Sequence, residues 1–106
     1  MDGFIERERA MEARFQHDQL LEYKILARRN RLFGLWAASL LDLPQDRAEG
    51  YARKLASGIM CTADGGEVLE KTLADFNENS VAISENRARK QLDYFYQDAM
   101  VQILDE

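Results

Sequence analysis

The side chains in this sequence that could support catalysis or metal binding are few and far apart. His17 and Cys61 are the only histidine and the only cysteine among 106 residues, and nothing in their surroundings pairs them as a base and a nucleophile. Two such residues are also too few for a His/Cys metal site. We therefore expect a protein that is not an enzyme.

Two further patterns could bind a ligand but are better explained as a solvated helix face and a turn. Glu67–Glu70 and Asp75–Glu78 have the i,i+3 spacing that could hold a divalent ion on a helix. Isolated carboxylates on helices usually form a solvated face. Gly65-Gly66 precedes a helix, where a phosphate could bind, but no GxGxxG motif or P-loop lysine accompanies it. We expect a turn there, no metal and no cofactor.

Composition and charge restrict the class of partner. With 46% hydrophobic and 31% charged residues, the chain reads as one soluble globular domain. Residues 1–31 carry a net charge of +1 and residues 32–106 carry −6, so nucleic acid is a poor partner. No apolar run approaches the roughly 20 residues that cross a bilayer, and the start lacks a signal peptide. We expect a cytoplasmic protein that does not insert into a membrane.

Hydrophobic spacing at steps of three and four predicts four helices, at about 20–41, about 45–60, from Asp64 to Asn77 or Asn79, and from Ser84 onward. Pro44 separates the first two, and Ile59 is placed on the buried face of the second. Asp64 with Glu67 suggests a capping box, and Ser84 suggests an N-cap. Short connections favour antiparallel neighbours.

Residues 1–19 differ from the rest. As a helix, this segment would show a thin apolar stripe of Phe4, Met11 and Phe15, interrupted by Glu8. A lone segment of this length is marginally helical in water, but it can extend from a helix that already exists. The three stripe residues either contact a partner, fold back on the body or stay exposed, and we favour contact with a partner. The predicted fold is therefore all-α: a four-helix bundle over 20–106, with a flexible arm over 1–19 that becomes helical on binding a partner.

Other candidates for contact lie near the start of the body. Arg28, Arg29 and Arg31 form either a solvated face or a contact patch beside the arm, and Trp36 is expected in the core. His17 is either a solvent-facing residue at the hinge or a docking contact whose charge varies near neutral pH.

The sequence also resembles a known family. The similarity lies in Phe4, Arg7-Glu8-Arg9-Ala10, Glu12, Phe15, His17-Asp18, Ala27–Ala38, Tyr51-Ala52 and Val81-Ala82-Ile83-Ser84. These residues stand in the order and spacing of the zeta subunit of alphaproteobacterial F-type ATP synthases. The resemblance covers essentially the whole chain and is most specific in its N-terminal third.

This resemblance implies an inhibitory subunit that binds the catalytic head of the ATP synthase and blocks ATP hydrolysis. Its N-terminal helix would insert at an α/β catalytic interface near the γ rotor, so the implied partners are the α, β and γ subunits. The protein would then sit at the cytoplasmic face of the inner membrane. The residues implied by the resemblance and the apolar and basic residues of the arm give one set of predicted partner-binding residues. They are Phe4, Arg7, Glu8, Arg9, Met11, Arg14, Phe15 and His17.

Two other functions remain open at this point. One is a small nucleotide-responsive regulator that binds ATP or ADP weakly, with Arg28, Arg29 and Arg31 on the phosphates and Trp36 or a tyrosine stacking on the base. The other is a helical scaffold without strong inhibition. Direct nucleotide binding by the isolated body would indicate the first, and an ATPase that is insensitive to deletion of the arm would indicate the second.

Overall fold

The computed structural model describes the backbone of residues 2–106 and the side chains of residues 18–106. Over this part of the chain the fold is all-α, as predicted, and it contains four α-helices. They are α1 (Asp2–Leu40), α2 (Gln45–Leu55), α3 (Gly66–Glu78) and α4 (Glu85–Leu104). A short 3-10 helix (Gly58–Met60) lies between α2 and α3.

The first helix is longer than the body helix predicted at about 20–41. It runs from Asp2 to Leu40 without a break, so the residues assigned to the arm and those assigned to the body belong to one element. The flexible arm was predicted over residues 1–19, and the side chains of residues 1–17 lie outside the described residues. From residue 18 onward, α1 is the central helix, and it packs most extensively against α2 and α4.

Helices α1 and α3 end in the same way. Asp42 and Ser80 adopt positive φ angles of 59° and 58°. The following residues, Leu43 and Val81, donate backbone hydrogen bonds to Ala38 and Phe76 in the last helical turns. This 6→1 bond from the residue after a left-handed one is the Schellman arrangement, which satisfies carbonyls that would otherwise lack donors.

The second predicted helix was too long. It begins at Gln45 after Pro44, as expected, but it ends at Leu55 rather than near residue 60. Gly58 has a φ of 61°, which an α-helix does not accommodate, and the chain turns there into the 3-10 helix. Ile59, assigned to the buried face, is 77% exposed as a result.

The capping box predicted at the start of α3 does not form. Gly65, with φ 72°, is the N-cap residue, and no side chain caps it. Asp64 lies one residue before the N-cap and holds the turn that precedes the helix. Its Oδ1 accepts hydrogen bonds from the Gly66 backbone N–H at 2.9 Å and from the Thr62 hydroxyl at 3.0 Å. These bonds lower the pKa of Asp64. At α4 the prediction is confirmed: Ser84 Oγ accepts the Arg87 N–H at 3.1 Å.

The core forms where the four helices meet. Its buried members come from every helix: Phe33, Leu55, Val68, Leu69, Ala88 and Leu92. Trp36 is partly buried against this cluster, with its ring 5.3 Å from Phe33 and 5.9 Å from Phe76, centroid to centroid. The predicted core position of the tryptophan is thus confirmed, and the aromatic contacts tie α1 to α3.

A close approach sets the spacing of α1 and α2. A Cβ atom on Gly34 would lie 2.8 Å from the Cα of Ala52, so no larger residue fits without moving the helices apart. The contact of Gly34 with Ala52, and that of Asn30 with Leu55, show that α2 runs antiparallel to α1. In the part of the chain that the structure describes, no helix is long and apolar enough to cross a membrane.

Candidate partner-binding site

The eight residues predicted to bind a partner lie at the N-terminal end of α1. All of them fall outside the described side chains: Phe4, Arg7, Glu8, Arg9, Met11, Arg14, Phe15 and His17. What the structure describes is the part of α1 that follows them and the contacts that hold this part in the body. These contacts, called the anchor below, are the described part of the candidate site.

Arg29 attaches α1 to the loop before α3. The residue is only 3% exposed. Its Nη2 donates to the carbonyl of Thr62 at 2.8 Å, and its Nη1 donates to the carbonyl of Ala63 at 3.3 Å. A buried guanidinium is stable only where its N–H groups find acceptors, and here two of the acceptors are backbone carbonyls. Arg29 therefore holds α1 and this loop together.

Asn30 extends the same contact into the core. Its side chain is fully buried, and its Nδ2 donates to the carbonyls of Leu55 at 2.8 Å and Met60 at 2.7 Å. Its Oδ1 accepts from Nε of Arg29 at 3.0 Å. Asn30 thus supplies a donor to the last carbonyl of α2 and to the last carbonyl of the 3-10 helix, which have no partner within their own helices. Among the described side chains, no buried polar atom lacks a partner.

The electrostatics of this anchor follow from its burial. Desolvation lowers the pKa of the Arg29 guanidinium, while the nearby Cys61 and Glu22 act in the opposite direction. Burial likewise raises the pKa of the Cys61 thiol, and Arg29 opposes that shift. Cys61 is a half-buried free thiol at the end of the 3-10 helix, in agreement with its expected place near a helix end.

A second set of contacts joins α1 to the distal part of α4. Arg28 donates from Nη1 to Gln102 Oε1 and from Nη2 to Glu106 Oε1, both at 2.7 Å. Nearer the arm, the Tyr96 hydroxyl donates to Glu22 Oε2 at 3.3 Å. Burial, together with this carboxylate, raises the pKa of Tyr96, so the phenol stays protonated and donates. These contacts hold α4 beside the first described turns of α1.

The three arginines predicted to form either a solvated face or a contact patch have different environments. Arg28 is half-buried and paired, Arg29 is buried, and Arg31 is exposed. Trp36 packs between Phe33 and Phe76. A nucleotide site that uses all three guanidinium groups with Trp36 as the stacking residue is therefore not assembled. In the described part of the chain, no group of three acidic, histidine or cysteine side chains could hold a metal ion.

Sequence reasoning missed the anchoring role of Arg29 and Asn30. A signal was present in the periodicity, because both residues fall between Leu26 and Phe33 on the apolar side of α1. A polar pair inside an apolar stripe indicates buried hydrogen bonds rather than a solvated surface. The acceptors, Thr62 and Met60 among them, are distant in sequence and could not be read from the spacing.

Residues 1–102 match the family described as ATPase inhibitor subunit zeta. The chain belongs to the zeta family. The match includes the N-terminal segment of α1 as well as the helices that anchor it. No match was found among curated proteins or among solved structures.

Membership in the zeta family gives this arrangement its functional context. The family is one of ATPase inhibitor subunits. Its name identifies an ATPase as the target. In the zeta chain, the N-terminal segment is the first part of α1, and the later turns of α1 pack with the other helices.

Proposed function

We propose that this protein binds the catalytic head of the F-type ATP synthase and blocks ATP hydrolysis. In this proposal, residues 1–19 form the inhibitory arm and residues 20–106 form the body. The arm inserts as a helix at an α/β catalytic interface near the γ rotor, and the α, β and γ subunits are the partners. The observation that carries the proposal is the family match over residues 1–102.

The construction of α1 supports this assignment. The segment that would insert is the N-terminal end of a helix whose later turns are held by Arg29 and Asn30. On a helical wheel with 100° per residue, the three apolar arm residues fall on the side that holds Leu26 and Phe33 in the body. The sequence thus continues the apolar side of α1 into the arm, and this supports a partner that covers it.

The proposed mechanism is steric. A helix of about 16 residues spans roughly 24 Å, which is enough to fill a cleft between two subunits. A cleft that must open and close during catalysis is then held in one conformation, and the rotor stops. The contacts must also offset the entropy lost when the arm becomes ordered.

In this proposal, the arm residues make different kinds of contact with the cleft. Phe4, Met11 and Phe15 would bury apolar area in the cleft, while the basic residues and Glu8 would pair with charged groups along its walls. His17 would lie where the arm leaves the cleft. In this setting the protein would sit at the cytoplasmic face of the inner membrane, held there through the ATP synthase.

ATP hydrolysis by the purified cognate head tests the proposal. The full-length chain should inhibit, and the triple variant F4A/M11A/F15A should raise the concentration for half-inhibition by at least about 100-fold, since three apolar anchors are lost. The control D2A/E6A/Q16A makes three alanine substitutions in the same arm on the side opposite the stripe. It should inhibit about as well as the parent. Equal inhibition by both triple variants would contradict the proposal.

The division into arm and body has its own test. The chain of residues 20–106 should unfold cooperatively near the melting temperature of the full chain, because the described core contacts all lie within it. The same shortened chain should not inhibit hydrolysis. Full inhibition by residues 20–106 would place the inhibitory element in the body.

A further inference from the structure

A groove lies beside the described start of α1, between that helix and the ends of α2 and α4. It has a volume of about 330 Å³. Its apolar lining comes from Tyr23 and Ala27 on α1, from Ala56 after α2, and from Ile103 on α4. Tyr23 is 49% exposed. The groove, named the basic groove for the cations that also line it, leaves apolar area open to a partner.

Three cations of α1 line the same groove: Lys24, Arg28 and Arg31. They follow one another at i, i+4 and i+7, so they share one side of the helix. Among the described residues that line the groove, Glu106 is the only acidic one. Lys24 and Arg31 are exposed, and neither makes an ion pair among the described side chains. In a chain with a net charge of −5, this is a local concentration of positive charge.

The groove already binds a carboxylate of its own chain. Arg28 Nη2 holds Glu106 Oε1 at 2.7 Å, and the two side chains are 29% and 59% exposed. Arg28 also keeps its bond to Gln102 without Glu106, and an ion pair that is partly open to solvent contributes little to stability. A carboxylate from outside can therefore replace Glu106 at small cost. The chemistry that this groove selects is therefore a carboxylate next to an apolar side chain.

We propose that the basic groove docks an acidic, partly apolar peptide segment of the catalytic head, separately from the arm. The inference rests on the proposed function for its partner. Lys24 and Met11 are 13 residues apart on the same helix, which places the groove about 20 Å from the middle of the arm. Docking at the groove would hold the arm close to its cleft, so that insertion follows at a high effective concentration.

The test measures binding of the full-length chain to the immobilised head at about 50 mM and about 300 mM salt. The variant K24E/R31E should raise Kd at low salt by about tenfold or more and should flatten the dependence of Kd on salt. The control R87E/K90E makes the same change in net charge at exposed positions of α4 outside the groove. It should stay within about threefold of the parent. E106Q should lower Kd, because it removes the internal competitor.

The outcomes separate this inference from the proposed function. At saturating concentration, K24E/R31E should still inhibit fully, since its arm is unchanged. If K24E/R31E binds like the parent, or if R87E/K90E weakens binding as much, the groove does not dock the head, whereas inhibition through the arm stands. Tight groove-dependent binding without inhibition would overturn the proposed function and leave the groove in place. No binding by the parent chain would overturn both.

Other occupants of the groove would give different signatures. Binding to vesicles of anionic phospholipid that K24E/R31E abolishes, with head binding unchanged, would assign the groove to a lipid surface and overturn the inference. A concentration-dependent dimer that the same variant dissociates, again with head binding unchanged, would assign it to a second copy of this chain and overturn the inference.

Discussion

Asn30 Nδ2 and the carbonyl oxygen of Leu55 lie 2.8 Å apart in the fully buried centre of the α1–α2 contact. Replacing Asn30 by leucine would leave this carbonyl, that of Met60 and Nε of Arg29 without a partner. We expect N30L to lower the free energy of unfolding by about 3 kcal/mol. Urea unfolding at pH 7 measures it, with N86L at an exposed position as the control, expected within about 0.5 kcal/mol of the parent. If N30L lowers the free energy of unfolding no more than N86L does, water satisfies these groups.

The close approach of Gly34 to Ala52 makes a second prediction with an internal control. In G34A the new methyl would lie 2.8 Å from the Ala52 Cα and 3.2 Å from Leu55 Cδ1, so α2 must move. We expect a loss of about 1–3 kcal/mol in the free energy of unfolding. G50A meets no atom within 4 Å and lies within α2. It should gain about 0.5–1 kcal/mol, because alanine favours the helix. Equal changes in the two variants would contradict the packing argument.

Tyr51 links α2 to α3, because its hydroxyl donates to Asp75 Oδ2 at 2.7 Å. Burial, then the hydrogen bond to Asp75 and its charge, raise the pKa of Tyr51 above its ordinary value of 10.0. A raised folded-state pKa means that the stabilisation is fully present below pH 10.0 and is lost as the pH rises above it, since the unfolded tyrosine ionises first. At pH 7, Y51F should lower the free energy of unfolding by about 1.5 kcal/mol.

The pH dependence of the difference between Y51F and the parent isolates this residue from the other tyrosines. Urea unfolding at pH 8, 9, 10 and 11 should show the parent losing its advantage over Y51F above pH 10. A constant difference across that range would mean that Tyr51 ionises in the folded state as it does in the unfolded chain.

The helices of the body were predictable because their signals are local. Ser84 caps α4 as its position suggested, and the buried residues Ala88 and Leu92 follow the expected spacing. Ile59 was misplaced because the apolar period ran on through Gly58, while the backbone turns there with a positive φ. Periodicity records where apolar residues recur, and it does not report where a glycine ends the helix.

The candidate site was less accessible to sequence reasoning for a different reason. The role of Arg29 depends on carbonyls more than 30 residues away, and the groove joins residues of α1 to Ile103 and Glu106. Such juxtapositions are set by tertiary packing, which the spacing within one helix does not encode. Within the arm, Phe4, Met11 and Phe15 were singled out by the reverse argument, because an apolar stripe with no partner in its own segment indicates a contact elsewhere. The remaining arm residues were predicted mainly from the resemblance to the zeta family.

The aromatic cluster around Trp36 has a spectroscopic consequence. It is the only tryptophan of the chain, and it lies against Phe33 and Phe76 in the body. Its intrinsic fluorescence is therefore a label-free reporter of the body alone. When the chain is titrated with denaturant, the emission shift follows the separation of α1 from α3. A tryptophan introduced in place of Phe4 would add a second emitter in the arm, whose signal is read by difference from the parent.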